Sequence, residues 1–134
     1  MLAIAGLRHE YAGRTVLRID AWSVARGEPA LVLGPSGSGK STLLNVIAGL
    51  TVPTAGEVLV DGVSVSSLPA ARRDAFRGRR VGLVPQRLHL IDVISVRDNL
   101  RLAQRLAGLP PDDQRIDEVL GSLDLAARDR KSVV

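Results

Sequence analysis

Hydrophobic and polar residues alternate along the first part of the chain, which is the pattern of half-buried β-strands. The apolar set occupies Leu17, Ile19 and Ala21 and then changes phase to Trp22 and Val24. Because side chains point to opposite faces of a strand with a period of two, this change predicts a bend or bulge. The strands predicted along the chain are residues 2–8, 16–24, 30–33, 57–60, 63–65 and 81–84.

Helical spacing appears after residue 42, where apolar residues are frequent enough to predict a helix buried over much of its surface and ending at Gly49. A helical piece is expected over about 69–76. Ser95 begins a further helix, since Asp98 stands three residues later in a capping-box position, and Gly108 closes it. A last helix follows the two prolines after residue 109. The predicted inward-facing residues are Leu43, Leu44, Val46, Ile47, Leu50, Val96, Leu100, Ala103, Ala107, Ile116, Val119, Leu120 and Leu123.

The order of these elements, antiparallel strands first and then alternating strands and helices, predicts an α/β fold. We expect a nucleotide-binding core with a small N-terminal antiparallel β subdomain. The 134 residues, 46% of them hydrophobic, are enough for one domain with a core. No apolar run approaches the roughly 18–20 residues of a membrane helix, and the first residues do not resemble a signal peptide. The chain has no cysteine, which suits a reducing compartment.

Positive charge is concentrated between residues 72 and 80, within a modest net charge of +4. One interpretation is a nucleic-acid patch. Asp74 interrupts the cluster, however, and Phe76 is the only aromatic residue beside it, so we favour a solvated helix face and expect no nucleic-acid partner. His9 and His89 lack the spacing of metal ligands. The cluster consists of Arg72, Arg73, Arg77, Arg79 and Arg80.

A glycine-rich loop follows the apolar run 30–33 and leads into the first predicted helix. It matches the phosphate-binding pattern G-x-x-x-x-G-K-[ST] at every fixed position. Glycine reaches positive φ at little cost, so the backbone can wrap around closely spaced phosphate oxygens. The residues predicted to bind the nucleotide are Gly34, Pro35, Ser36, Gly37, Ser38, Gly39, Lys40, Ser41 and Thr42.

Two side chains of this loop carry specific expectations. Lys40 would reach the β- and γ-phosphates, and the Ser41 hydroxyl would bind Mg²⁺. The helix dipole and the free N–H groups of the following helix would add to the anion site. The loop therefore predicts a nucleoside-triphosphate site.

Several further stretches make the sequence resemble the nucleotide-binding subunit of an ABC transporter. Tyr11 opens the segment Tyr-Ala-Gly-Arg-Thr-Val-Leu, which is typical of the front end of that family. Residues 51–58 resemble the segment after the first helix, and 81–86 resemble the strand leading to the glutamine loop. Residues 95–100 resemble the start of the helix that follows. The resemblance covers nearly the whole chain.

The resemblance implies roles that the residues alone do not. Tyr11 would stack on the adenine of ATP, and Gln86 would contact Mg²⁺ or the attacking water, so that Lys40 and Gln86 are the catalytic candidates and Ser41 and Gln86 the metal candidates. It also implies transmembrane permease subunits as partners and a second nucleotide-binding subunit that completes a dimer. Such a protein lies in the cytoplasm, peripheral to the inner face of the membrane.

The sequence also departs from the family. The L-S-G-G-Q-type signature, the apolar strand ending in Asp-Glu and the late switch histidine are not found in residues 1–134. We therefore expect a partial ABC-type domain, incomplete at its C-terminal end, that binds ATP weakly and does not hydrolyse it alone. The predicted strands 30–33 and 81–84 would lack the neighbours that join them in the family. Two alternatives stay open: a truncated, non-hydrolytic or inert module, and an unrelated phosphate-loop GTPase or small-molecule kinase.

Overall fold

The computed structural model describes residues 1–86 and 90–125, so His89 and the residues after 125 lie outside the described part of the chain. The chain divides into two compact units, Met1–Asp74 and Ala75–Val134. The first holds a sheet with one complete helix, the described part of the second holds two complete helices, and the helix 70–80 crosses the boundary between the units. The elements are β1 (Leu2–Tyr11), β2 (Arg14–Val24), α1 (Lys40–Ile47), β3 (Ala55–Val60), β4 (Val63–Ser64), a 3₁₀ turn (Val65–Ser67), α2 (Ala70–Arg80), α3 (Val96–Leu106) and α4 (Asp113–Ser122).

The described strands form one antiparallel sheet in the order β2-β1-β3-β4. Ala12 and Gly13 connect β1 to β2, and both have positive φ, 49° and 74°. A two-residue turn with positive φ at both positions matches the twist of the flanking strands. The N-terminal antiparallel β subdomain predicted from the alternating pattern is therefore confirmed.

The phase change in β2 has its counterpart in β1. Ile4 pairs with Trp22 and Leu7 pairs with Ile19, and the pairing register does not shift between them. Both Ile4 and Leu7 are buried although they are three residues apart, because β1 bends at Gly6, where φ is 57°. Only a residue without a Cβ adopts this conformation cheaply. Leu17, Ile19 and Trp22 of β2 therefore all lie in or against the core, whereas Ala21 is exposed.

The core of the first unit lies between the sheet and α1. Val58 of β3 is fully buried, and Val46 of α1 packs in the same cluster. Burial of such side chains contributes roughly 25 cal/mol per Å² of apolar surface, which makes this cluster the main stabilising feature of the unit. The buried members are Ile4, Leu7, Leu17, Leu43, Val46 and Val58.

Two of the predicted strands are not strands in the structure. The segments 30–33 and 81–84 have no strand pairing among the described residues. Leu31 and Leu33 are 81% and 80% exposed, and Val84 is 85% exposed. The prediction of strands at these two places is wrong, because an apolar composition is not enough: a strand needs a neighbour to satisfy its backbone groups.

The helices follow the predicted signals with differences in detail. α1 ends where Gly49 takes a φ of 70°, as predicted, but Leu44 and Leu50 are about half exposed rather than buried. α2 runs four residues beyond the predicted end at Phe76. In α4, Leu123 lies past the helix end and is exposed, so it is not part of the inner face.

The capping signal of α3 is confirmed in altered form. The Ser95 hydroxyl accepts a bond from the Asp98 N–H at 3.0 Å, as an N-cap should. The same hydroxyl donates to the Asp98 carboxylate at 2.7 Å. The carboxylate therefore bonds the capping side chain, where a capping box would have it accept from the capping backbone N–H.

Candidate functional site

The glycine-rich loop joins the extended segment 30–33 to the start of α1. Gly39 is the N-cap residue of that helix, with φ of 87°, and its carbonyl accepts from the Leu43 N–H at 2.8 Å. Within the loop, the Ser38 N–H donates to the Pro35 carbonyl at 3.3 Å. The loop is thus a closed turn directly before a helix N-terminus, which is the placement that phosphate binding requires.

Lys40 folds back over the loop. Its Nζ donates to the carbonyls of Gly34 and Pro35, both at 2.7 Å, and reaches the Ser38 Oγ at 3.4 Å. An ammonium has three donors and no acceptor, so these contacts satisfy it without a carboxylate. The positive charge is held above the loop, where phosphate oxygens would lie.

Gly39 also fixes the loop against the sheet. A Cβ at this position would lie 2.6 Å from the carbonyl oxygen of Val16 in β2, so only glycine fits. Gly37 has a similar φ of 81°, but a Cβ there would meet nothing within 4 Å. The two glycines therefore have different roles. Gly37 allows a positive φ, and Gly39 allows both a positive φ and the close approach of the loop to the Val16 carbonyl.

The N-terminus of α1 favours an anion. No side chain caps it, and its first turn contains no acidic residue. The unsatisfied N–H groups of a helix N-terminus carry partial positive charge, which attracts negative ligands. Together with the Lys40 ammonium, they make the loop a site for phosphate groups.

The residues of the loop also fit a magnesium ion bound together with phosphate. Ser41, the second residue of α1, is exposed and offers a hydroxyl oxygen beside the loop. In residues 1–86 and 90–125, no three His, Asp or Glu side chains are grouped closely enough to hold a metal by themselves. Mg²⁺ commonly binds through one or two protein oxygens, substrate phosphates and water, which matches a single hydroxyl at this place.

The other two predicted site residues lie in different units. Tyr11 is the last residue of β1, 75% exposed at the hairpin end, and pairs with Arg14. Gly39 of the loop contacts β2 at Val16, and Arg14 is only two residues before Val16 on the same strand. The hairpin end is therefore close to the place where the loop meets the sheet. Gln86 is exposed and lies in the second unit. The fold therefore brings Tyr11 toward the loop through β2, and Gln86 is described only within its own unit.

An ion-pair network that was not expected from the sequence joins α3 and α4. Arg101 donates to both carboxylate oxygens of Asp113, at 2.9 and 2.8 Å, and to Asp98 at 3.2 Å. Arg97 pairs with Asp117. Bonds from Ser95 and then Arg101 lower the pKa of Asp98, and the Arg101 bond lowers the pKa of Asp113.

The sequence contains a signal for only one contact of this network. Asp98 and Arg101 are three residues apart on α3, a spacing that places them side by side on a helix. The contact with Asp113 depends on how the two helices meet, which spacing alone does not give. The network joins two helices, and each of its three carboxylates pairs with an arginine, so its role is structural.

Comparison with known proteins identifies the family. The family model described as "ABC transporter" matches residues 17–134. The chain belongs to the ABC transporter family. The match favours the transporter interpretation over that of an unrelated GTPase or kinase.

The individual ABC relatives agree. The lipoprotein-releasing system ATP-binding protein LolD of Bordetella avium is 43% identical over 109 residues, covering 80% of this chain and 47% of that protein. The taurine import ATP-binding protein TauB of Yersinia pestis is 40% identical over 116 residues, covering 87% of this chain and 42% of that protein. The chain thus spans about half the length of the curated relatives it matches.

Solved ABC cassettes share the fold. The dimeric post-hydrolysis structure of the ATP-binding cassette MJ0796, bound to ADP and Pi, has a TM-score of 0.84 and 26% identity, covering 99% of this chain and 62% of that one. A second dimeric structure of MJ0796 has a TM-score of 0.83. The α/β cassette fold is therefore confirmed over the part of the cassette that this chain matches.

No helix in the described ranges is long and apolar enough to cross a membrane.

Proposed function

We propose that this chain is the ATP-binding part of an ABC transporter ATPase, which couples ATP binding and hydrolysis to transport. The observation that carries the proposal is the closed glycine loop, with Lys40 held over it and the uncapped N-terminus of α1 behind it. Family membership and the ADP-bound cassette MJ0796 support a nucleotide as the ligand.

The loop residues would act by binding and orienting the triphosphate. Lys40 exchanges its bonds to the Gly34 and Pro35 carbonyls for phosphate oxygens, while the loop N–H groups donate to the same phosphates. The Ser41 hydroxyl holds Mg²⁺, which when bound neutralises developing charge on the phosphates. Tyr11, exposed at the hairpin end, provides a face for adenine, since aromatic stacking is worth about 1–3 kcal/mol per base in nucleic-acid systems.

Hydrolysis needs more than these residues provide. A water must be oriented and the leaving charge stabilised, and of the described residues only Gln86 is a candidate for contact with Mg²⁺ or the water. No acidic cluster near the loop is found in the described ranges. We therefore expect the 134-residue chain to bind Mg·ATP with little turnover. Transport itself would require a second nucleotide-binding subunit and membrane-spanning permease subunits, which would hold the protein at the cytoplasmic face of the membrane.

Calorimetric titration of the chain with Mg·ATP tests this proposal. A charge-assisted hydrogen bond contributes about 1.5–3 kcal/mol, so Lys40→Ala should lower the affinity about 10- to 100-fold. Arg26→Ala is the matched control, since it removes an exposed cation from the same unit and should leave the affinity unchanged. No heat with the wild-type chain, or equal affinity in Lys40→Ala, would contradict the proposal.

A non-hydrolytic or inert module is the second candidate. It is favoured by the exposure of Leu31 and Leu33 directly before the loop, since a segment without strand partners among the described residues holds the loop less firmly. The same titration separates the inert module from the proposed function, because an inert module gives no heat although the chain is folded by circular dichroism.

A further inference from the structure

The positive charge of the chain is concentrated on one helix. α2 carries five arginines against the single acidic residue Asp74, a formal excess of four. The whole chain has 18 basic and 14 acidic residues, which is the same excess. The rest of the chain is therefore formally neutral, with thirteen residues of each sign. The net positive charge of the protein is thus carried by this one helix.

Three of these arginines form an exposed face. Arg72, Arg79 and Arg80 are exposed, and spacings of seven and eight residues place them on one side of a helix. None of the three takes part in an ion pair with the described residues, unlike Arg97 and Arg101 of α3.

The neighbouring Arg73, by contrast, has a structural role in this helix. Its Nη1 donates to the Leu68 carbonyl at 3.1 Å, and its side chain covers Gly49, where a Cβ would lie 2.8 Å from the Arg73 Cγ. Arg73 is therefore held within the fold by a hydrogen bond, whereas no hydrogen bond or ion pair to the described residues holds the exposed three.

α2 packs through a different side. A Cβ at Gly78 would lie 3.1 Å from the Ala107 Cα at the end of α3, so this side of α2 approaches another helix closely. Arg79 is exposed although its guanidinium lies beside Gly108 at the end of α3, where a Cβ would be 3.7 Å from the Arg79 Nη2. All three arginines stay exposed, so the arginine face is left for an external partner.

We propose that Arg72, Arg79 and Arg80 bind the phosphate groups of an anionic membrane surface. Guanidinium groups bind phosphate in a bidentate manner, and clustered basic residues bind anionic lipid headgroups. Nucleic acid fits less well, because α2 has no Asn or Gln to read bases and its one aromatic residue, Phe76, is partly buried. The choice of a lipid surface rests on the proposed function, which places the chain beside a membrane.

Vesicle co-sedimentation of the full chain tests the proposal. The vesicles contain phosphatidylcholine alone or phosphatidylcholine mixed with phosphatidylglycerol. The test variant is Arg72→Gln/Arg79→Gln/Arg80→Gln. The matched control is Arg14→Gln/Arg26→Gln/Arg105→Gln, also exposed residues outside the described ion pairs, so that both variants lower the net charge from +4 to +1. A third variant, Arg72→Lys/Arg79→Lys/Arg80→Lys, keeps the charge and guards against misfolding.

The wild type should bind only the anionic vesicles, and added salt should weaken that binding. Each arginine at an anionic surface strengthens binding about fivefold, so the test variant should lose binding by well over tenfold, while the control loses much less and the lysine variant keeps most of it. Equal loss in test and control variants would overturn the proposal, and so would an absence of wild-type binding. Tighter binding to single-stranded RNA, abolished by the test variant, would assign the surface to nucleic acid instead.

Mg·ATP titration of the same proteins keeps the two proposals separate. The test variant should bind nucleotide like the wild type, because none of its changes touches the loop. Vesicle binding without nucleotide binding would overturn the proposed function alone. Nucleotide binding without vesicle binding would overturn only the membrane surface.

Discussion

Two apolar stretches of the first unit, β1 and the segment 30–33, have similar composition and different burial, since β1 contributes Ile4 and Leu7 to the buried core and of 30–33 only Val32 packs against it. Leu7 of β1 is 1% exposed, whereas Leu31 is 81% exposed. β1 has strand partners on both sides, and α1 covers one face of the sheet. Among the described residues nothing pairs with 30–33. The difference teaches that an apolar sequence can be buried, and that the neighbouring strands and helices decide whether it is.

The comparison extends to the loop that each stretch supports. On the sheet side, Gly39 touches the Val16 carbonyl of a well-paired strand. On the other side, the loop begins at Gly34, directly after the exposed Leu33. In the family resemblance, further strands flank this segment. The relative MJ0796 has chain beyond the part matched here, since only 62% of it is covered. We infer that the loop is anchored firmly at its C-terminal end and less firmly at its N-terminal end, where of the segment 30–33 only Val32 packs against the core.

The largest expected effect tests the burial difference directly. Leu7→Ala should lower the free energy of unfolding by about 2–5 kcal/mol, because it leaves a cavity in the core. Leu31→Ala, the same change at an exposed position, should alter it by no more than about 0.5 kcal/mol. Urea unfolding followed by fluorescence of Trp22, the only tryptophan and a residue of β2, measures both. Equal losses would mean that Leu31 is buried in solution.

The anchoring of the loop gives the next prediction. Gly39→Ala places a Cβ against the Val16 carbonyl and strains a φ of 87°, so we expect a cost of about 1–3 kcal/mol and a loss of Mg·ATP affinity. Gly37→Ala strains a similar φ without the collision and should lose less of both. Urea unfolding and calorimetric titration of the two variants give the difference. A larger effect at Gly37 would show that conformation matters more than the contact with β2.

These two predictions show how far the sequence could lead. The loop, the hairpin, the end of α1 and both ends of α3 were predictable because glycines, capping residues and period-two patterns act over a few residues. Position 30–33 was predicted as a buried strand from its own composition, and that was wrong, because strand pairing depends on distant residues. The contact between Gly39 and Val16 and the pair of Arg101 with Asp113 also join residues far apart in sequence, so they needed the fold.

A smaller effect concerns the exposed apolar segment itself. Exposed apolar patches and unpaired strand edges favour association between copies. Leu31→Lys/Leu33→Lys should therefore reduce self-association measured by sedimentation velocity. Leu106→Lys/Leu123→Lys, at positions 78% and 61% exposed in the second unit, is the matched control and should reduce it less. If both variants act equally, general surface hydrophobicity is the cause and the segment 30–33 is not special.

The smallest effect separates the apolar first unit from the charged helices of the second. The pKa values of Asp98 and Asp113 are lowered in the folded chain, so the stability they contribute is present above their unfolded pKa, near 4, and is lost as the pH falls through the folded values. The groups are exposed, which keeps the contribution small. Acid titration followed by far-UV circular dichroism should show helix loss below about pH 4, and Asp98→Asn/Asp113→Asn should flatten it. Trp22 fluorescence should respond less, because the buried residues described around the sheet include no polar or charged side chain. A simultaneous change in both signals would mean that acid acts on the sheet as strongly as on the ion pairs, and that the contrast between the units does not extend to their response to pH.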